Sequence, residues 1–258
     1  MPGLEMLEIV LPATVAGLMI TLIHSSLGIE VLRRGIIFID LAIAQIAGLC
    51  VVLIKLFLHE PTWLLTQYTA MFAALLAASF FRWVEKALPQ EQEAIIGSCF
   101  ILAASAVLLA LANHPQGGEE IQHILSGQML FISWQEILAF MPLYLGGFAV
   151  WIFVPRVRSG LWFFSLFAVI VTASVQLVGV YVVFASLILP ALAVNTLVSS
   201  RPFFATLCSG VAIILGIVAA TMADMPAGPM LVFAYATMSI VFRLVARYMP
   251  PDTHGAPR

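Results

Sequence analysis

The chain has 258 residues, of which 62% are hydrophobic and 9% charged, with a mean hydropathy of +1.09. Soluble domains are about 45–50% apolar and about 25% charged. A net charge of −2 and a pI of 6.2 leave no basic surface for nucleic acid. The apolar share amounts to about 160 residues, enough for about eight membrane spans of about 20 residues each. A soluble enzyme, a nucleic-acid-binding module and a disordered tail are therefore excluded. The apolar runs are too long and unbroken for tilted barrel strands, so the expected class is an all-α polytopic integral membrane protein.

Windows of apolar residues place nine helices at 7–27, 35–58, 63–81, 94–113, 137–154, 161–174, 177–197, 202–222 and 229–247. The first lacks a basic flank and carries Glu5 and Glu8, so it reads as a retained helix and not a cleaved signal. Residues 160–200 are uncharged and too long for one span; the polar Thr172, Ser174 and Gln176 mark the expected division, and merging them would give eight helices. With nine spans and the N-terminus outside, Arg33, Arg34, Arg82, Lys86, Arg156, Arg158, Arg201, Arg243, Arg247 and Arg258 all fall on the cytoplasmic side, and Lys55 is the exception. Eight spans would scatter them, so the positive-inside rule favours nine helices with the C-terminus cytoplasmic. Residues 1–249 read as a single transmembrane domain and 250–258 as a short cytoplasmic tail. Small residues at helical spacing, Ala70-Ala74-Ala78 and Ala212-Gly216-Ala220, are packing stripes. Cys50, Cys99 and Cys208 sit apart in apolar runs and read as small hydrophobes.

An ionisable group inside a span is costly and is a functional candidate by default. Asp40 is the foremost, expected about five residues into the second helix. His24, three or four residues from the cytoplasmic end of the antiparallel first helix, is placed to share its depth, and a carboxylate with an imidazole suits a divalent transition metal. The alternatives are a pairing of Asp40 with Arg33 or Arg34, and a His24 that only bonds backbone. Gln45 lies deeper; five residues from Asp40, it is about 140° around the helix and off its stripe. Gln176 reads as a turn residue. Pro190, eleven residues after Gly179, marks a helix break of the kind transporters use. His59, His114, His123 and His254 fall in loops or the tail, and no phosphate loop or nucleophile motif is present.

Four segments carry a family resemblance. Residues 26–48, SLGIEVLRRGIIFIDLAIAQIAG, resemble the second-helix signature of the zinc/manganese ABC importer permeases, the ABC-3 type membrane subunits. EAIIGS (93–98) resembles the start of that family's fourth helix, 121–137 its external segment, and VGVYVVFASLILPALA (178–193) its glycine-to-proline helix. The order and spacing agree over most of 26–200. The resemblance implies a homodimeric permease in a bacterial inner membrane that takes Zn(II) or Mn(II) from an external metal-binding protein, driven by a cytoplasmic ATP-binding subunit. On this reading the chain is not itself an enzyme and keeps no permanently bound cofactor, the metal being its cargo.

Asp40 matches the family's second-helix aspartate, while the histidine expected four residues on is replaced by Ala44. The cytoplasmic segment that docks on the ATPase is cut to PRVRSG (155–160), about 20 residues shorter than the family pattern; Arg156 and Arg158 are the candidates for ATPase contact, with 82–93 as another surface. These departures make a divergent branch and raise the alternative of a structural or assembly subunit without transport. An intramembrane enzyme would need His24 and Asp40 together.

Overall fold

The computed structural model describes residues 2–58, 61–111, 127, 129–197 and 200–248, with side chains from residue 10 to 245. Among these residues nine α-helices form: α1 (Pro2–Arg34), α2 (Ile39–Phe57), α3 (Trp63–Ala87), α4 (Gln92–Leu111), α5 (Trp134–Phe153), α6 (Gly160–Val178), α7 (Val180–Ala193), α8 (Arg201–Ala223) and α9 (Ala227–Tyr248). Eight of them are long and apolar enough to cross a bilayer; α7 is the short one. His59, His114, His123, His254, the tail 250–258 and most of the expected external segment lie outside the described residues.

Hydropathy windows end where apolar composition ends, but helical hydrogen bonding does not. Thus α1 continues seven residues past the expected end at 27, and α3 runs on from the expected end at 81 to Ala87, leaving 88–91 as the connection to α4. Gly35, at φ 69, closes α1: its N–H bonds to the Leu32 carbonyl at 3.2 Å and the Ile36 N–H to Val31 at 3.3 Å, a left-handed glycine cap. The chain turns over 35–38 and α2 begins at Ile39, so Asp40 is the second residue of its helix and not the fifth or sixth. At the opposite end of the bundle, Thr62 caps α3 through the Leu65 N–H. Ser133 and Glu136 form a reciprocal capping box at the start of α5.

The division of 160–200 falls at Gly179, not at Thr172–Gln176. Gly179 has φ 81 and ψ 162, a conformation that essentially requires glycine, and α6 stays helical through the polar residues to Val178. Ser174 and Ser186 lie twelve residues apart and would be about 18 Å apart along one continuous helix. Both bond the ring of His24, at 2.9 and 2.7 Å, so the chain folds back at Gly179 and α7 returns toward the end from which α6 came. Along that return α7 lies against α1 so closely that a Cβ on Gly28 would collide with the Leu187 carbonyl.

These directions gather the basic residues. Arg33 and Arg34 at the end of α1, Arg82 in α3, Arg158 before α6 and Arg243 in α9, bonded to the Leu192 carbonyl at the end of α7, lie at one end of the bundle, the arginine end. The small-residue stripes do the packing expected of them: Ala70, Ala74 and Ala78 are fully buried, and Gly216 of α8 abuts Leu231 and Ala234 of α9. Exposed Leu, Phe and Trp on the outer faces of α3, α4 and α5 are the surface a bilayer would cover.

Candidate functional site

One stripe of α2 organises the site. Ala44, Ala47, Gly48, Val51 and Lys55 line a cavity of about 270 Å³ between α2, α3, α5 and α6, in the half of the bundle away from the arginine end. Around it stand the polar groups of Thr66, Gln67, Glu136, Thr172 and Gln176. Gln176, expected in a solvated turn, is instead half-buried in the wall, and the Thr172 hydroxyl and the Gln176 carbonyl oxygen have no hydrogen-bond partner among the described residues. Buried polar atoms are nearly always paired, so unpaired ones in a cavity wall are groups left for water or a solute.

Asp40 continues the same stripe four residues before Ala44, one turn or about 6 Å further along the axis. It is 1% exposed, and neither carboxylate oxygen has a hydrogen-bond partner among the described residues. Its place in the first turn of α2 gives it the favourable end of the helix dipole. The expected alternative, an ion pair with Arg33 or Arg34, is absent because those guanidiniums are taken. Glu30 accepts from Arg33 (2.6 Å) and Arg34 (2.8 Å); Arg34 also bonds Glu85 (2.8 Å), which pairs with Arg82. Arg34 lies 4.2 Å over the Phe163 ring and donates to the Arg158 carbonyl at 2.9 Å. This network ties α1, α3 and the start of α6 together. Neither Glu30 nor Glu85 stood out in the sequence, although Glu30 four residues before Arg34 and Glu85 three after Arg82 are helical pair spacings.

The structure does not bring His24 to Asp40. His24 lies ten residues, about 15 Å, from the end of α1, whereas Asp40 is in the first turn of α2, so the expected common depth is corrected by the true length of α1. Its ring is fully buried between Ser174 and Ser186, and Tyr144 bonds Ser174 at 2.6 Å. Each serine hydroxyl carries one hydrogen and has two acceptors within reach, a ring nitrogen of His24 and a carbonyl of its own helix, Ile170 for Ser174 and Val183 for Ser186, both at 2.8 Å. Both ring nitrogens are thus engaged in joining α1, α5, α6 and α7. Gln45 is buried and lies off the cavity stripe.

Glu93, in the first turn of α4, accepts from the Phe38 N–H at 3.1 Å through one carboxylate oxygen, while its other oxygen is buried without a partner among the described residues. Glu93 entered the sequence reading only as part of a motif. The short turn 155–160 is a 3-10 turn, Pro155–Arg158, in which Arg156 is exposed and Arg158 folds back to donate to the Trp151 carbonyl at 3.1 Å. Pro190 lies within α7, one turn before its end. Among the described residues no group of three or more His, Cys, Asp or Glu converges on one point.

Comparison with known proteins then decides the family. The model of the ABC 3 transport family matches residues 6–159 and 147–246, nearly the whole chain. The chain belongs to the ABC 3 transport family. The two matched pieces overlap over 147–159, the stretch that includes the turn Pro155–Arg158. In fold it is similar to a solved structure, PsaBC from Streptococcus pneumoniae in complex with Fab, with a TM-score of 0.74, 17% identity and 93% of each chain covered. No curated protein matches the sequence. As a family member the chain is a multi-pass transmembrane permease of an ABC transporter, the membrane subunit and not the ATPase.

Proposed function

We propose that this ABC 3 permease moves a divalent transition metal ion, zinc or manganese, from an external binding protein to the cytoplasm, as a homodimer in a bacterial inner membrane. The observation that carries the reading is the α2 stripe: a cavity that ends at Ala44, and one turn beyond it, on the same face, a buried carboxylate without a partner among the described residues. An unpaired ion in low dielectric costs several kcal/mol, and a cation arriving from the cavity offsets that cost. With the arginine end cytoplasmic, as the positive-inside rule directs, the cavity opens outward and the Glu30–Arg34–Glu85–Arg82 network closes the cytoplasmic side. Gly179 precedes the short α7 and Pro190 lies within its last turn; this helix, returning beside α1, is the element we expect to move when access alternates.

ATP hydrolysis takes place on a separate cytoplasmic subunit, with Arg156 as the contact this chain offers. The competing reading, an assembly subunit without transport, draws on the brevity of 155–160. Asp40→Asn separates the two. Uptake of radioactive manganese or zinc in cells should fall at least tenfold with normal protein level in the membrane, and unchanged uptake would favour the assembly role.

A further inference from the structure

We propose that Glu93 completes a second coordination point with Asp40, an oxygen-only site for a divalent cation between the first turns of α2 and α4 at the arginine end. The inference rests on the transport reading above and adds to it a residue and a donor chemistry. The Phe38 N–H that holds one Glu93 oxygen belongs to the residue two before Asp40, which brings the two carboxylates to one corner of the α2–α4 contact. Three of their four oxygens, both of Asp40 and one of Glu93, are buried without partners among the described residues. The nearby guanidiniums of Arg33 and Arg34 are committed to Glu30 and Glu85. Two like charges in a buried corner repel, and a cation between them removes both the repulsion and the unmet acceptors.

Carboxylate oxygens with neither imidazole nor thiolate form a hard donor set, of the kind that suits manganese, with water filling the remaining positions. Gln92, buried in the same turn of α4, has its amide nitrogen without a partner among the described residues; that group only donates and cannot ligate a cation. A cation leaving Asp40 therefore meets Glu93 next, on the way to the arginine end.

The test is titration of the full-length protein in lipid nanodiscs with Mn(II) alone, free Mn(II) being read by electron paramagnetic resonance. Wild type should bind one Mn(II) per chain, and E93Q, which keeps an oxygen for the Phe38 N–H but loses the charge, should weaken binding at least tenfold. E91Q, at the exposed Glu91 two residues away, should leave it unchanged. Equal binding by wild type and a normally melting E93Q would overturn the proposal, as would a wild type that binds no Mn(II) at millimolar concentration. Uptake in cells keeps the two ideas apart. D40N inactive with E93Q fully active in uptake and binding sinks the Glu93 site and leaves the path standing. D40N fully active sinks the path itself.

Discussion

Two buried polar residues that look alike in a hydropathy plot have opposite surroundings. Asp40 has no hydrogen-bond partner among the described residues, whereas His24 has one on each ring nitrogen. The first arrangement is poised for a ligand and the second is a joint. Replacing His24 with alanine strips the Ser174 and Ser186 hydroxyls of a partner at the centre of the bundle, and an orphaned buried hydrogen-bonding group costs about 1–3 kcal/mol. The expected outcome is a lower unfolding temperature of His24→Ala in detergent with metal uptake per folded molecule retained. Lost uptake at a normal level of folded protein would return His24 to the transport path. The same joint explains why sequence reasoning mispaired the two residues. Their depths were compared from estimated helix ends, and α1 is seven residues longer at that end than its apolar run.

At the scale of elements, the break after α6 is set by backbone conformation, not by polarity. Thr172, Ser174 and Gln176 are polar enough to suggest a turn, but a helix carries isolated hydroxyls by bonding them to neighbours or back to its own carbonyls, as Ser174 does to Ile170 at 2.8 Å. Gly179, at φ 81 and ψ 162, is a position no other residue takes without strain of about 1–3 kcal/mol. Gly179→Ala should therefore lower the unfolding temperature by several degrees and loosen the Ser174–His24–Ser186 joint. Pro190→Ala, in a helix that already runs through the proline to Ala193, should leave stability unchanged or slightly raised. Thermal unfolding of both variants in one lipid background checks the contrast. If Gly179→Ala melts like wild type, the fold-back does not depend on that conformation.

For the whole molecule, the proposed reading makes the arginine end both the closed end and the end that an ATPase would touch. Its ion pairs are internal. Glu85 joins α1 to α3, and Arg158 is turned into its own chain against Trp151. Arg156 is the exposed cation on the same turn. Arg156→Glu should reduce co-purification of the ATP-binding subunit several-fold without changing the melting temperature. Glu85→Gln should lower the melting temperature, because Arg34 and Arg82 then share a partly buried corner with one fewer counter-charge. Affinity purification in mild detergent measures the first and thermal unfolding the second. Undiminished co-purification with Arg156→Glu would place the docking surface elsewhere, on the 88–91 connection or the tail.

From the sequence alone come the membrane class, an expectation of nine helices, the number found among the described residues, and basic residues that, Lys55 apart, fall on one side. Each follows from composition and period, which act locally and add up along the chain. It also singled out Asp40, because a charge in an apolar run is conspicuous wherever the helix goes. Only the tertiary structure decided what each polar group faces. Burial and pairing are relations between helices far apart in sequence, such as Ser186 and His24, 162 residues apart, and Arg34 and Glu85, 51 apart. Hydropathy assigns residues to helices but says nothing about rotation or contact between them. The cavity above Asp40, the joint that takes up His24 and the place of Glu93 beside the second helix were therefore settled by packing.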